Sequence, residues 1–598
     1  MPRCFRVPAT RPHRVLWVGA ALLIALQLAV RGYVLARGNF YWDDVAFLGR
    51  AGQPLTDLHA WLVDYDGHVM PGALFTAAVI SKAAPLSWPA AAVSILVLQL
   101  IASLVTLRAL VIVAGRRPMV LVPFVFVVLS PLTLSAMAWW ASGLNALPLQ
   151  IGLAVVVGET VRFLRGNRWS GVWAVLALLG ALLFFEKALV IPFVALAAAV
   201  LVRYLRGHVD PVRSVLRRAR WLWAGYAVIL IGWFAVWFAV TESRPGEHTL
   251  SYTWSALFRS VTSVLAPAAL GGPWNWTRRN PGPPVVVPDV AITVVGLVAI
   301  VLIVALTWRR APRAVAAWAA AGAYFVASLA PVYFLRSSEY TSPLLPLSLR
   351  YVADFAWVLS LAGALVLTAR TRGRSLDPRM WVLVVVAFAV SAVGSTLRFA
   401  PVWADNPTGA YLVDLRDGSR AYAGRPMLDQ EVNPEVIARL AYPNNTLSRV
   451  LSTLPQRPRL GTSSPEATVV DAQGRFVPGK VTRVRSIPLG DTPGCGFRVD
   501  GAPVLLRYEG PLAYWEWVVQ LNYLASDDGV LVLEQEFGAM PVRVPVLRGP
   551  HTVYVRVPGT GGGLAVRAET PGLIACVTSG PVGLLVPESA PEPPPARR

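Results

Sequence analysis

Over the first two thirds of this chain, apolar residues come in blocks of about twenty, separated by short polar stretches that carry Arg. About 20 apolar residues in a helix cross a bilayer's hydrocarbon core, so the pattern predicts eleven spans, at roughly 15–36, 88–113, 118–138, 144–163, 170–185, 188–204, 221–241, 285–307, 313–333, 350–369 and 380–399. The stretch 170–204 is too long for one crossing, and Glu186–Lys187 splits it into a tight hairpin. After residue 400 the pattern changes. Pro401 to Leu454 reads as helical. From about 460, short alternating runs such as HTVYVRV (551–557) and GVLVLEQEF (529–537) are separated by DDG and GTGGG turns, as in a β-sandwich. The expected fold is a polytopic α-helical membrane protein with a C-terminal β-sandwich. Its parts are a transmembrane domain 1–400, a helical connector 401–455, a β-rich domain 456–586 and a disordered Pro-rich tail 587–598.

Composition agrees: 55% of residues are hydrophobic and 15% charged, which excludes a soluble enzyme of this length and a disordered chain. The net charge of +21 would suggest nucleic acid in a soluble protein. Here its placement gives another meaning. Arg3, Arg6, Arg11 and Arg14 precede the first span, and every second loop is basic: Arg116–Arg117, Arg162 to Arg168, Arg203 to Arg220, Arg309 to Arg313 and Arg370 to Arg379. Short basic loops stay on the cytoplasmic side, so the expected topology is a multi-pass plasma-membrane protein with a cytoplasmic N-terminus and an external C-terminal domain. The secondary partner of that charge is the anionic inner leaflet; nucleic acid is not expected. The first span is long for a signal peptide, and no small-residue cleavage site follows it.

The longest early outer loop, 37–87, contains NFYWDDVAFLGRAG and then an apolar segment, Pro71 to Lys82, that is too short to span and suits an interfacial helix. Asp43 and Asp44 follow Tyr41 and Trp42. A carboxylate near aromatic rings at a membrane boundary loses solvation, which raises its pKa and suits it to general-base work. The alternative is a solvated helix cap. Asp64, Asp66 and His68 lie in the same loop, and with the acidic pair could form an oxygen-rich site for Mg, Mn or Ca. Glu186–Lys187 is either a loop charge pair or a place where Lys187 holds a phosphate. Arg350, followed by Tyr351, is either an interfacial anchor or a bidentate phosphate grip. Trp139–Trp140 and Trp274–Trp276 read first as interfacial belt residues, with sugar stacking as the second reading. Trp515 and Trp517 share one face of a strand, where they could stack on a glycan or fill a core.

Cys4 is expected to be a cytoplasmic thiol. Cys495 and Cys576 share the external domain, where an oxidising compartment lets them bond. The sequence has no Walker loop, dinucleotide fingerprint, zinc spacing or Ser elbow. An enzyme of this composition needs an energised donor that arrives through the membrane.

Taken in order, these segments resemble the GT-C superfamily of membrane glycosyltransferases, which use polyprenyl-phosphate-linked sugars. The superfamily includes protein O-mannosyltransferases, lipid A aminoarabinose transferases and cell-wall arabinosyltransferases. WDD at 42–44 is similar to the family's acidic pair after the first span. GHVMPGALF at 67–75 is similar to its His-Pro-Pro segment, with Val69 and Met70 between His68 and Pro71. FEKALVIP at 185–192 resembles its Thr-Lys-Gly-Pro stretch, with Ala188 and Leu189 replacing Gly-Pro. LRY at 349–351 resembles the Arg-Tyr that opens a late span. The resemblance covers about 1–400. It implies Asp43 as base with Asp44 beside it, and Lys187 and Arg350 as donor-phosphate contacts next to Tyr351. Asp66, His68 and Glu186 would line the substrate loop. The implied activity is inverting transfer of a sugar from a polyprenyl-phosphate donor to an envelope glycan, lipid or protein on the outer face. The chain from 400 also looks like actinobacterial multi-span proteins with a carbohydrate-module-like ending. Two alternatives stand beside this: a flippase for lipid-linked glycans, and a non-catalytic glycan-binding scaffold. Few mid-span charges and no internal repeat count against the flippase.

Overall fold

The structure, a computed structural model, describes residues 11–242, 250–278, 282–336, 338, 341–371, 378–538 and 540–590. Cys4, Arg3, Arg6, Arg372, Arg374 and the tail from 591 lie outside those residues, as does the side chain of Arg379. The chain divides into two compact units, one formed by 1–44 and 53–406, the other by 45–52 and 407–598.

The first unit is helical. Ten of its helices are long and apolar enough to cross a membrane, and Trp169–Phe184 is a shorter apolar helix of 16 residues, among the described residues. Together they coincide with the eleven expected runs. Local chemistry sets their ends. The helix Val290–Arg310 starts where the Asp289 carboxylate accepts from the Ile292 N–H at 2.9 Å, and it ends on Arg309–Arg310, which complement the carbonyl end of the helix dipole. At Glu186 the apolar run breaks into a short 3₁₀ turn, Glu186–Val190, before the helix Ile191–Leu205. The split predicted at Glu186–Lys187 is therefore real.

Burial sorts the spans. Only 6% of the central window of Val290–Arg310 and 11% of Arg220–Val240 are covered, so those helices present their sides to lipid. Pro118–Ala138 is 83% covered, and Trp140–Leu164 and Leu349–Val366 are each 72% covered. These three form the centre of the unit, and two of them bring in the polar groups described below.

The second unit is mainly β-structure. Val504–Ala525 and Gly549–Ala568 form one long antiparallel ribbon, running from Val504 opposite Val566 to Ala525 opposite Gly549, with register shifts between Arg507 and Trp515. One end of the ribbon pairs with Gly529–Phe537, and the other with Ala575–Val577 and Gly580–Gly583. Alternate residues, including Val553, Val555 and Val557 of the HTVYVRV run, point into one shared core, in sandwich fashion. Cys495 and Cys576 are disulfide-bonded, with Cα atoms 4.7 Å apart. The first residues of the expected disordered tail are instead ordered: Leu585–Pro587 is a strand, and the Glu588 N–H donates to the Pro478 carbonyl.

Candidate active site

The segment after the first span is set by aromatic packing. Phe40 meets Trp88 and Trp140 edge to face at 5.3 and 5.7 Å, and Tyr41 meets Trp139 and Trp403 at 4.8 and 5.6 Å. Trp139 and Trp140 are 4% and 0% exposed. They are core residues of this unit, which corrects the expectation of a membrane belt. Trp274 and Trp276 are half-buried; Trp274 Nε1 donates to the Ser391 carbonyl at 3.2 Å, and Trp276 packs on Phe399. Trp42 then takes a left-handed backbone conformation, with φ 45°, at a cost of roughly 1–3 kcal/mol for a bulky residue. That turn starts the helix Asp43–Arg50 and points the two carboxylates in different directions.

Asp44 is fully buried. Its Oδ2 accepts from the Tyr41 N–H at 2.9 Å, and its Oδ1 accepts from the Ala141 N–H at 2.7 Å. It therefore seals the entry turn and caps the helix Trp140–Leu164. Burial pushes its carboxyl well above the usual carboxylate range, and the backbone donors at Ala141 and Tyr41 oppose that push. A group enclosed in this way cannot touch a substrate. The catalytic placement expected for Asp44 is corrected to a structural one, because both oxygens already serve the backbone.

Asp43 remains partly open. Its Oδ1 accepts from the Tyr65 hydroxyl at 3.1 Å. Burial raises its pKa, while the Arg350 charge and the Tyr65 hydrogen bond pull it back. Tyr65 is presented by a two-residue turn. Tyr65 and His68 exchange backbone hydrogen bonds at 2.9 and 3.0 Å, and between them Asp66 and Gly67 have φ 52° and 82°. Asp-Gly is the dipeptide best suited to that primed turn, since both central residues need positive φ. On the far side of the turn, His68 Nδ1 lies 2.5 Å from Glu186 Oε1, and its Nε2 lies 2.7 Å from Arg336. Arg336 also donates to the Asp66 carbonyl at 3.2 Å.

The supposed metal cluster does not form. Among the described residues no group of three or more His, Cys, Asp or Glu converges as a metal site. Asp44 faces the backbone. Asp64 accepts from Gly67 and Glu242 N–H groups, and Asp66 and His68 share Arg336. A guanidinium stands where a divalent cation was expected.

Arg350 sits at the start of a central span. Its guanidinium lies over the rings of Trp139 and Tyr351 at 4.6 and 4.8 Å and donates to the Tyr351 hydroxyl at 2.8 Å. Its Nε is buried and has no hydrogen-bond partner. Lys187 behaves differently. Its Nζ donates to Asp354 Oδ1 at 2.8 Å and to the Tyr351 carbonyl at 3.3 Å, and Asp354 is held in turn by the Tyr324 hydroxyl. Tyr324 also lines an apolar cavity of about 290 Å³, walled by Val190, Val194, Ala321, Ser328 and Val358 among others.

Sequence reasoning missed Tyr65, Arg336, Tyr324 and Asp354. A signal existed for two of them. Asp66-Gly67 marks the turn that displays Tyr65, and an ionisable residue inside an apolar span, as Asp354 is, points by itself to a function. In the second unit, Trp517 is 9% exposed and packs in the core, with Nε1 bonded to the Ala513 carbonyl at 2.9 Å. It therefore has no face free for a glycan. Trp515 is 46% exposed, with Arg439 at 5.8 Å over its ring.

These observations define a class: a polytopic membrane protein in which a part-open carboxylate on the loop helix after the first span lies within electrostatic reach of an arginine at the start of a central span. No protein-family model matches the chain, and a comparison with curated protein sequences finds no match. Among solved structures, it is similar to ArnT from Cupriavidus metallidurans bound to undecaprenyl phosphate. That likeness has 15% identity and a TM-score of 0.42, and covers 74% of this chain and 85% of the other. It is also similar to the arabinofuranosyltransferase AftD from Mycobacteria, at 11% identity and TM-score 0.36, covering 94% of this chain and 58% of the other.

Proposed function

We propose that this chain is a glycosyltransferase of GT-C type, transferring a sugar from a polyprenyl-phosphate donor to an envelope acceptor on the outer face of the plasma membrane. The observation that carries the reading is the pairing of Asp43 with Arg350. One is a part-open, desolvated carboxylate; the other is an arginine with an orphaned Nε close enough for their charges to act on each other. The order of motifs along the chain supports the same reading.

The step follows from these groups. Asp43 takes the proton of the acceptor hydroxyl. The acceptor oxygen bonds to the sugar C1 as the bond from C1 to the phosphate oxygen breaks. The polyprenyl phosphate leaves with the electron pair, and Arg350 offsets its charge. One base and one displacement invert the anomeric configuration. Tyr65 orients Asp43. The apolar cavity beside Tyr324 suits the hydrocarbon end of the donor. Lys187 is compensated by Asp354, so its part is to hold Tyr351 and the start of the Arg350 span, with phosphate contact only if that pair opens. Trp515 is the residue offered to a glycan by the β-rich unit.

The test is a transfer assay in nanodiscs, with a panel of polyprenyl-phosphate sugars and envelope glycan acceptors. Wild type should turn over with at least one donor, and Asp43→Asn should lose about 10²–10⁴-fold. Equal turnover in the variant would remove Asp43 from the chemistry. Tight glycan binding without transfer by folded wild type would favour the scaffold.

A further inference from the structure

The helix Trp140–Leu164 links two polar regions. Its first turn is capped by Asp44, and its 25 residues put its other end roughly 37 Å away, a bilayer's width. At that far end is a second cavity, of about 100 Å³, lined by Arg165, Arg203, Arg206 and His208, with Val161 and Val202 among its apolar walls. More cations stand behind it. Gly207, with φ 83°, turns the chain so tightly that a Cβ there would lie 2.8 Å from an Arg313 nitrogen and 3.6 Å from an Arg370 nitrogen.

The positive-inside rule explains why arginines occur in these loops, but not why those of separate loops converge on one cavity. Nor are they neutralised. Among the described residues, none of Arg165, Arg203 and Arg206 forms a salt bridge; Arg203 donates to the Ser214 hydroxyl at 2.8 Å. The nearby acid Glu159 is already shared by Arg108 and Arg162. Two helix C-termini, at Leu164 and Leu205, end beside the cavity. Each supplies about half a negative charge, so together they offset about one of the three arginine charges and leave about two. Partial burial against the cavity walls is the main cause that holds Arg165 below the usual arginine value, and the neighbouring Arg206 charge adds to it.

We propose that this cavity is a binding site for a phosphate-bearing anion, on the membrane face opposite the candidate active site. Arg165 and Arg206 are its forks and Arg203 its floor, and the apolar walls make a phospholipid headgroup or a soluble phosphate the two sources. Guanidinium forks match phosphate oxygens in pairs, and basic pockets between spans on the cytoplasmic side suit anionic headgroups.

The experiment uses the full chain in neutral detergent and reads its thermal unfolding midpoint. It is titrated separately with short-chain phosphatidylglycerol, inorganic phosphate and short-chain phosphatidylcholine. The wild-type midpoint should rise saturably with phosphatidylglycerol, with phosphate, or with both, but not with phosphatidylcholine. A rise with phosphatidylglycerol alone assigns a lipid headgroup; a rise with phosphate as well assigns the shared anion. Arg165→Gln/Arg206→Gln should weaken the apparent affinity at least tenfold. Both side chains are exposed at helix ends, so the variant should fold, and the single Arg206→Gln gives the same readout in a milder form. Arg116→Gln/Arg117→Gln, which removes two arginines from another loop, should keep the wild-type response. No saturable response in wild type, or an equal loss in both double variants, would overturn the site in favour of diffuse charge.

Discussion

Substituting Asp44 separates structure from chemistry within the acidic pair. Asp44→Ala removes the acceptors of two buried backbone N–H groups, those of Tyr41 at 2.9 Å and Ala141 at 2.7 Å. Each buried donor left unsatisfied costs about 1–3 kcal/mol. Relief of the buried charge offsets part of that, and the net loss is about 3 kcal/mol. At about 2 °C per kcal/mol for a large domain, the unfolding midpoint should fall by about 6 °C. Asp44→Asn keeps one acceptor oxygen and should fall by about half as much. Asp43→Asn keeps the oxygen that Tyr65 uses, so its midpoint should stay within about 1 °C of wild type while transfer is lost. The assay is scanning fluorimetry of all three variants in one detergent, with transfer measured on the same preparations. The pH dependence adds a check of sign. Burial raises the Asp44 pKa in the folded state, so the folded chain binds more protons than the unfolded one between about pH 4 and that raised value. Wild-type stability should therefore decline as pH rises through that window, and Asp44→Asn should flatten the decline. If Asp44→Ala keeps the wild-type midpoint yet loses turnover, Asp44 belongs to the chemistry and the capping argument is wrong.

Other expectations follow from particular contacts. The acid limb of turnover should lie above the ordinary Asp pKa of about 4, because protonated Asp43 accepts no proton. Tyr65→Phe removes a hydrogen bond that favours the ionised form and should move that limb upward; a downward move in a pH–rate profile would contradict the assignment. The Cys495–Cys576 bond closes a separation of 81 residues, so Cys576→Ser should destabilise the second unit by about 4 kcal/mol, measured by denaturant unfolding. Trp517→Ala should cost about 3–5 kcal/mol as a core truncation. Trp515→Ala should leave stability nearly unchanged and weaken retention on an envelope-glycan affinity gel; the reverse pattern would exchange their roles.

How much was legible depended on the range of the interaction. Helices and strands are local: apolar runs of bilayer length, the Glu186–Lys187 break and the alternation in HTVYVRV all mark elements that the structure contains. Cys495 and Cys576 were separable from Cys4 because only they shared a domain. Within the candidate site, Asp43 and Arg350 stood out because charge near an apolar run is costly and therefore informative. The division of labour between neighbours was not legible. Asp43 and Asp44 are equivalent in sequence, as nearly are Trp515 and Trp517. Which member turns inward depends on partners far along the chain: the Ala141 N–H for Asp44, and the β-core for Trp517.

The sequence by itself determined the membrane class, the span pattern and the change to β-structure, because each rests on a period or a run that solvent reads directly. Only the tertiary structure decided that Lys187 is matched by Asp354, that Arg336 stands among the loop acids, and that arginines from separate loops converge on one cavity. The physical reason is that a charge's meaning depends on its partner, and in a helical bundle that partner is often more than a hundred residues away.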